Sequence, residues 1–210
     1  MFVERRRRPR QPRVGLLGGS FNPPHLGHLA LARVACSHLR LDELLWVPAG
    51  QPWQKAGQPM APAGHRAAMV AALIEGEPRM RLDERELRRD GPSYTLDTVR
   101  ELQAERPEVD LFLILGQDQY AGLHTWRQPA ALLAAVTLAV AARDGQAPQA
   151  SALLAGLPHR PEILPLPRLD VSASGVRAAL AAGQPVHRMV GEAVARYIDQ
   201  HHLYRLTPGL

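Results

Sequence analysis

Residues 111–115 read Leu-Phe-Leu-Ile-Leu, an unbroken apolar run that has no polar side to offer to water. A strand of this kind is covered on both faces, the arrangement found in parallel sheets flanked by helices. Val14–Leu17 and Val136–Ala141 share that character, and Ile163–Leu166 is a weaker version. Glu43–Val47 and Met80–Leu82 read as further strands. Between the strands the pattern changes to helical spacing. Leu26, Leu29, Ala30, Val34 and Leu41 recur this way around a helix predicted over His25–Leu39, with Asn22, Pro23 and Pro24 marking its entry. His65–Ile74, Thr95–Glu105, Ser174–Ala182 and Gly191–His201 read as the other helices. Strands alternating with helices predict an α/β fold with a doubly wound, mostly parallel sheet. The Pro-, Gly-, Gln- and Ala-rich stretch Asp144–Pro161 reads as a surface excursion between two strands. With 46% hydrophobic and only 5% aromatic residues, the core has to be aliphatic, and 210 residues suit one domain, taken here as residues 14–210.

The formal charge of +5 suggests a nucleic-acid binder until its distribution is considered. Arg5, Arg6, Arg7, Arg8, Arg10 and Arg13 are opposed only by Glu4, and once this segment is set aside the basic and acidic residues are equal in number. Residues 1–13 therefore read as a basic, disordered arm broken by Pro9 and Pro12, with a merely solvated tail as the alternative to a binding role. Cys36 is the only cysteine, so no disulfide forms within the chain. No apolar stretch follows the N-terminal charges as in a signal peptide, and none approaches the roughly 20 residues of a bilayer span. The expectation is a cytoplasmic protein with no membrane partner and no nucleic-acid partner.

In open parallel sheets ligands sit beyond the carboxyl ends of the strands. The first strand is followed by Gly18-Gly19-Ser20-Phe21-Asn22-Pro23-Pro24-His25-Leu26-Gly27-His28. Leu115 is followed by Gly116-Gln117-Asp118, and Ala141 by Ala142-Arg143-Asp144-Gly145. Gly18 and Gly19 let backbone approach a ligand closely. His25 and His28, three apart at a helix start, share a face beside free N–H groups and the positive end of the helix dipole, a site for phosphate oxygens. Gly27 keeps the surface between them low. The alternatives are a helix start that happens to carry two histidines and a metal site, although no cysteine or carboxylate stands nearby at ligand spacing.

These residues carry a resemblance. Gly18 to His28 is similar to the signature of the His-x-Gly-His nucleotidyltransferases, and Val171-Ser172-Ala173-Ser174-Gly175-Val176-Arg177 resembles the superfamily's late Ser-Ser/Thr-x-x-Arg segment. Ser174 is expected to cap a helix, with Arg177 one turn later on the same face; an ordinary capped helix is the alternative. Three further segments narrow the resemblance to the bacterial nicotinate-nucleotide adenylyltransferases: Asp83 through Ser93-Tyr94-Thr95, then Leu115-Gly116-Gln117-Asp118 with Thr125-Trp126, and Tyr197-Ile198-Asp199 with Leu203-Tyr204. The likeness runs from about Val14 to Arg205. The chain departs from the pattern at Asn22, where many members have Asp; at Ala173, where a hydroxyl is usual; and at Pro52-Trp53-Gln54-Lys55, where Pro-Pro-His-Lys is usual. Lys55 is the only lysine in the chain.

The resemblance implies a Rossmann-like fold of nucleotidyltransferase type and adenylyl transfer from ATP to nicotinate mononucleotide, giving deamido-NAD and pyrophosphate. It implies His25, His28, Lys55 and Arg177 as the catalytic groups. Gly18, Gly19, Ser20, Phe21, Gly116, Asp118, Ser172 and Ser174 would lie on ATP, and Asn22, Ser93, Tyr94, Thr95, Trp126 and Arg143 on the acceptor. Mg²⁺ would be held mainly by the phosphates. Ser93–Thr95 at a helix start can receive the nicotinate carboxylate, and Trp126 offers a flat face to the pyridine ring, core packing being its alternative. The rival readings are the same chemistry on nicotinamide mononucleotide or phosphopantetheine, and a nucleic-acid-binding protein that uses the arm. A class I aminoacyl-tRNA synthetase shares the His-x-Gly-His device, but 210 residues leave no room for its tRNA-binding parts.

Overall fold

The computed structural model describes residues 10–55, 57, 59–142, 146–167 and 169–205. In chain order the elements are β1 (Arg13–Gly19), α1 (Leu26–His38), β2 (Glu43–Pro48), α2 (Ala63–Leu73), β3 (Met80–Leu82), α3 (Arg85–Arg88), α4 (Thr95–Glu105), β4 (Asp110–Leu115), α5 (Gln117–Gly122), α6 (Pro129–Ala135), β5 (Thr137–Ala141), α7 (Ala152–Ala155), β6 (Glu162–Leu164), α8 (Ala173–Ala181), α9 (His187–Val190) and α10 (Glu192–Gln200). The strands form one sheet in the order β3-β2-β1-β4-β5-β6, and every pairing is parallel. The chain winds outward from β1 through β2 to β3, returns to the other side of β1, and winds out again through β4, β5 and β6. The winding reverses between β1 and β4, and a crevice opens at such a point.

The run at 111–115 is divided by parity. Leu111, Leu113 and Leu115 pack with α4, α5, α6 and α7 on one face. Phe112 and Ile114 pack with α1, α2, α8, α9 and α10 on the other. Both faces are therefore dry, and burying each such side chain stabilises the fold by about 2 kcal/mol. Gly15 in β1 has a packing reason: a Cβ there would lie 2.6 Å from Leu41 Cδ1 and 2.9 Å from Ile114 Cδ1.

Several boundaries differ from the sequence reading. The last predicted strand is Glu162–Leu164 rather than 163–166, and Val136 precedes β5. Ser172, not Ser174, caps α8: its Oγ accepts from the Gly175 N–H at 3.1 Å, and Ser174 lies inside the helix. A Ser at 172 followed by Ala-Ser-Gly reaches N3 as readily as one at 174, so composition alone did not choose between them. The crossover from β4 to β5 holds α5 and α6, both too short for a periodic signal; in α6 only Leu132 and Leu133 are buried. The expected excursion is tied down. It holds α7, with Leu154 fully buried; Gln149 and Gln117 exchange two hydrogen bonds, and Tyr120 Oη lies 2.9 Å from His159 Nε2.

Part of the expected arm is anchored as well. β1 begins at Arg13, whose N–H donates to Asp42 at 2.7 Å, and Arg10 holds the same carboxylate with both Nη atoms at 2.7 and 2.9 Å. Arg5, Arg6, Arg7 and Arg8 lie outside the described residues. Among the described residues no helix is long and apolar enough to cross a membrane.

Candidate active site

A cleft of about 570 Å³ lies beyond the carboxyl ends of β1 and β4, where the winding reverses. Its lining includes Gly18 through Asn22, His25, His28, Ser93–Thr95, Gly116–Asp118, Trp126 and Ser172. Gly18 is exposed at the tip of β1, and a Cβ there would meet nothing within 4 Å. Neither packing nor backbone shape requires glycine at this point, so the open space is what it contributes. Gly27 has a packing reason as well: a Cβ there would lie 3.0 Å from His25 Nδ1 and from Val171 Cγ1. It lines the cleft and lets α1 pack against the segment leading to α8.

Phe21 is 2% exposed and takes φ of +46°, a left-handed conformation held by packing. Its ring sits between Trp46, with centroids 5.3 Å apart, and His28, at 5.2 Å edge-on. It is a floor beneath His28. The His25 and His28 rings stack with centroids 3.7 Å apart. The His25 N–H donates to His28 Nδ1 at 3.2 Å, so Nδ1 is the acceptor and the ring proton sits on Nε2. His25 is 8% exposed; among the described residues its Nδ1 has no hydrogen-bond partner, and burial pushes its pKa down to about 4. It is a neutral imidazole at physiological pH. His25 and His28 thus form a pair of hydrogen-bonding groups at the start of α1.

Asn22 is used from within. Its Oδ1 accepts from the Ala61 N–H at 3.0 Å and from Tyr204 Oη at 2.8 Å, its Nδ2 donates to Pro59 O at 3.3 Å, and its carbonyl accepts from Arg177 Nη1 at 2.7 Å. Arg177 is half-buried and outside the cleft lining, so what it is seen to do is grip the loop that carries the histidines. The early and late motifs do meet, through Arg177 and Asn22. Ser172 lines the cleft, and its Oγ is 3.1 Å from Ser174 Oγ.

On the opposite wall, Tyr94 caps α4 and Thr95 begins it. Ser93 is buried, and its Oγ accepts from the Gly50 and Gln51 N–H groups at 2.9 and 3.2 Å, fastening the loop after β2. Trp126 lines the cleft and also packs against the second core cluster. Gly116 precedes α5, with Gln117 and Asp118 in its first turn. The Lys55 side chain and all of Arg143 lie outside the described residues.

Three residues that the sequence reading did not assign to the site line this cleft, and a fourth, Arg66, bonds to the loops around it. Arg127 lines the cleft, stacks 4.7 Å from the Tyr94 ring centroid and pairs with Asp97 at 3.2 Å. Trp53 is a partly exposed lining residue. Glu86 is 6% exposed; desolvation raises its pKa against the opposing pull of the Thr98 hydroxyl, which donates to it at 2.6 Å. Arg66 is 2% exposed, and among the described residues its hydrogen bonds go to backbone carbonyls. A signal for Arg66 existed: it stands on the same helical stripe as Met69, Val70 and Leu73, a charge where an apolar residue is expected.

The cytidylyltransferase-like family profile matches residues 16–179. A protein of Methylibium petroleiphilum named "Probable nicotinate-nucleotide adenylyltransferase" is 52% identical over 198 residues, covering 92% of this chain and 93% of that one. One of the same name from Bordetella petrii is 48% identical over 197 residues, covering 92% and 99%. The solved structure of Plasmodium falciparum nicotinic acid mononucleotide adenylyltransferase complexed with NaAD superposes with a TM-score of 0.75 over 92% of this chain and 97% of that one. At 18% identity that last likeness establishes the fold.

Proposed function

The chain belongs to the cytidylyltransferase-like family, and from that premise we propose that it transfers the adenylyl group of ATP to nicotinate mononucleotide, forming deamido-NAD and pyrophosphate in NAD biosynthesis. An oxygen of the acceptor phosphate attacks the α-phosphorus of ATP. The bond from that phosphorus to the oxygen bridging to the β-phosphate breaks, and pyrophosphate departs with the electron pair. The attacking group is already an anion at neutral pH, so no general base is required. What the protein supplies is alignment and hydrogen bonds that strengthen as charge shifts onto the leaving group.

The stacked imidazoles of His25 and His28 at the head of α1, inside the cleft, are the observation that carries this reading. His28 is committed at Nδ1 and offers Nε2–H to the phosphates. His25, held neutral by burial, acts as a hydrogen-bonding group and not as a cation. The open tip at Gly18 admits the phosphate chain. Gly18, Gly19, Ser20, Gly116, Asp118, Ser172 and Ser174 are assigned to ATP, with Phe21 supporting His28 from below. Ser93, Tyr94, Thr95 and Trp126 are assigned to the acceptor, with the α4 N-terminus facing the nicotinate carboxylate. Arg177 and Asn22 hold the motif loop. Lys55 and Arg143 keep the roles that the family resemblance gives them.

The divalent cation implied by this chemistry, Mg²⁺, would offset phosphate charge when bound. The phosphates of ATP would hold it in the main, with few protein ligands, because Mg²⁺ gives up its water reluctantly. The chain's single cysteine and its use of ATP accord with a cytoplasmic reaction. The test is ATP-dependent pyrophosphate release with nicotinate mononucleotide, nicotinamide mononucleotide and phosphopantetheine as separate acceptors. The acid mononucleotide is expected to be used fastest; equal or faster turnover of either rival would overturn the assignment.

A further inference from the structure

Arg66 is a buried cation. Among the described residues no carboxylate forms an ion pair with it, and its guanidinium is spent on three backbone carbonyls: Ala61 O from Nε at 3.1 Å, Ser20 O from Nη1 at 2.8 Å and Gly50 O from Nη2 at 3.4 Å. A buried charge is weak evidence for stability, because its desolvation costs much of what its contacts return. The three carbonyls explain what the charge does. Ser20 is in the loop that carries the histidines, next to the Phe21 ring beneath His28. Gly50 is in the loop after β2, and its N–H donates to Ser93 Oγ at 2.9 Å on the acceptor wall. Gly50 is also wedged: a Cβ there would lie 2.2 Å from the Glu86 carbonyl oxygen, so this loop has little freedom to shift. One planar fork therefore links the phosphate wall to the acceptor wall.

We propose that Arg66 is a positioning residue for adenylyl transfer, setting the distance between the loop that carries the histidines and the loop after β2 that fastens Ser93 of the acceptor wall. This rests on the function proposed above. A lysine keeps the charge and most of the volume, but its single ammonium has no fixed fork with which to fix two loops at once. A cross-link that served stability alone would lower the melting temperature and leave turnover per folded molecule unchanged. A positioning residue changes kcat, because reacting atoms displaced by about 1 Å can cost about 10²-fold in rate.

The experiment measures kcat and both KM values for the wild-type chain, Arg66→Lys and Arg66→Gln, at a temperature where circular dichroism shows each variant folded. The expected result is a kcat lowered about 10²-fold in both variants, with each KM within about threefold of wild type. An unchanged kcat in either folded variant would overturn the proposal. Should neither fold, amide exchange on the wild-type chain decides: ATP alone must slow exchange at Gly50, Gln51 and Ser93, and unaltered exchange there overturns it. If the wild type uses a different acceptor, the function proposed above fails while the same comparison on that acceptor still tests Arg66. A wild type inert toward every acceptor overturns both.

Discussion

Lowering the pH from 7 to 4.5 destabilises the folded chain through His25. In the unfolded chain an imidazole titrates near 6.5, and in the fold burial pushes it to about 4. The folded pKa is the lower of the two, so between them the unfolded chain binds the additional proton. Stability from this group is fully present above about 6.5 and is lost as the pH falls toward 4. Over the interval from pH 7 to 4.5 the loss comes to about 2.5 kcal/mol. Other groups titrate over the same range. Glu86, whose carboxyl is raised by burial, acts in the opposite sense, favouring the fold as the pH falls. The informative quantity is therefore a difference between proteins. Urea denaturation of wild type and His25→Asn at both pH values isolates the His25 part, and the variant should lose about 2.5 kcal/mol less on acidification than wild type. Identical pH dependence in the two proteins would refute the claim that the imidazole is buried neutral, and with it the hydrogen-bonding role given to His25.

Four other outcomes follow from the site. His28→Ala should lower kcat by roughly 10²–10³ with little change in KM, and an unchanged kcat would remove His28 from the chemistry. Gly18→Val should leave the urea midpoint within error, because the space is open, yet raise KM for ATP about tenfold or more; an unaffected KM would show that no ligand passes that point. Trp126→Ala should raise KM for the mononucleotide and spare that for ATP, and equal effects on both would assign the ring to packing alone. Tyr204→Phe removes the 2.8 Å bond to Asn22 Oδ1 and should cost about 1 kcal/mol in denaturation; no loss would mean that Asn22 does not need it.

The sequence by itself determined the layered fold and the end of the sheet at which a ligand binds. Its apolar runs at 14–17, 111–115 and 136–141 leave no wet face, and polar residues and glycines gather where those runs stop. The two histidines at spacing three were legible as a pair because helix geometry fixes where such residues point. Short elements escaped. α5, α6 and α7 span four to seven residues, too few turns for a period to emerge, and they owe their helicity to packing under Leu123, Leu132 and Leu154. Only the tertiary structure decided which polar groups face the ligand and which face the protein. Asn22 and Phe21 lie within the signature, yet one spends its polar atoms on Tyr204, Ala61, Pro59 and Arg177 while the other supports a ring. Arg66 looks like a surface charge until Ser20 and Gly50, 46 and 16 residues away in sequence, bring their carbonyls to it. Desolvation and hydrogen-bond pairing depend on neighbours distant in sequence, and those neighbours are assigned only when the sheet closes and the helices pack on it.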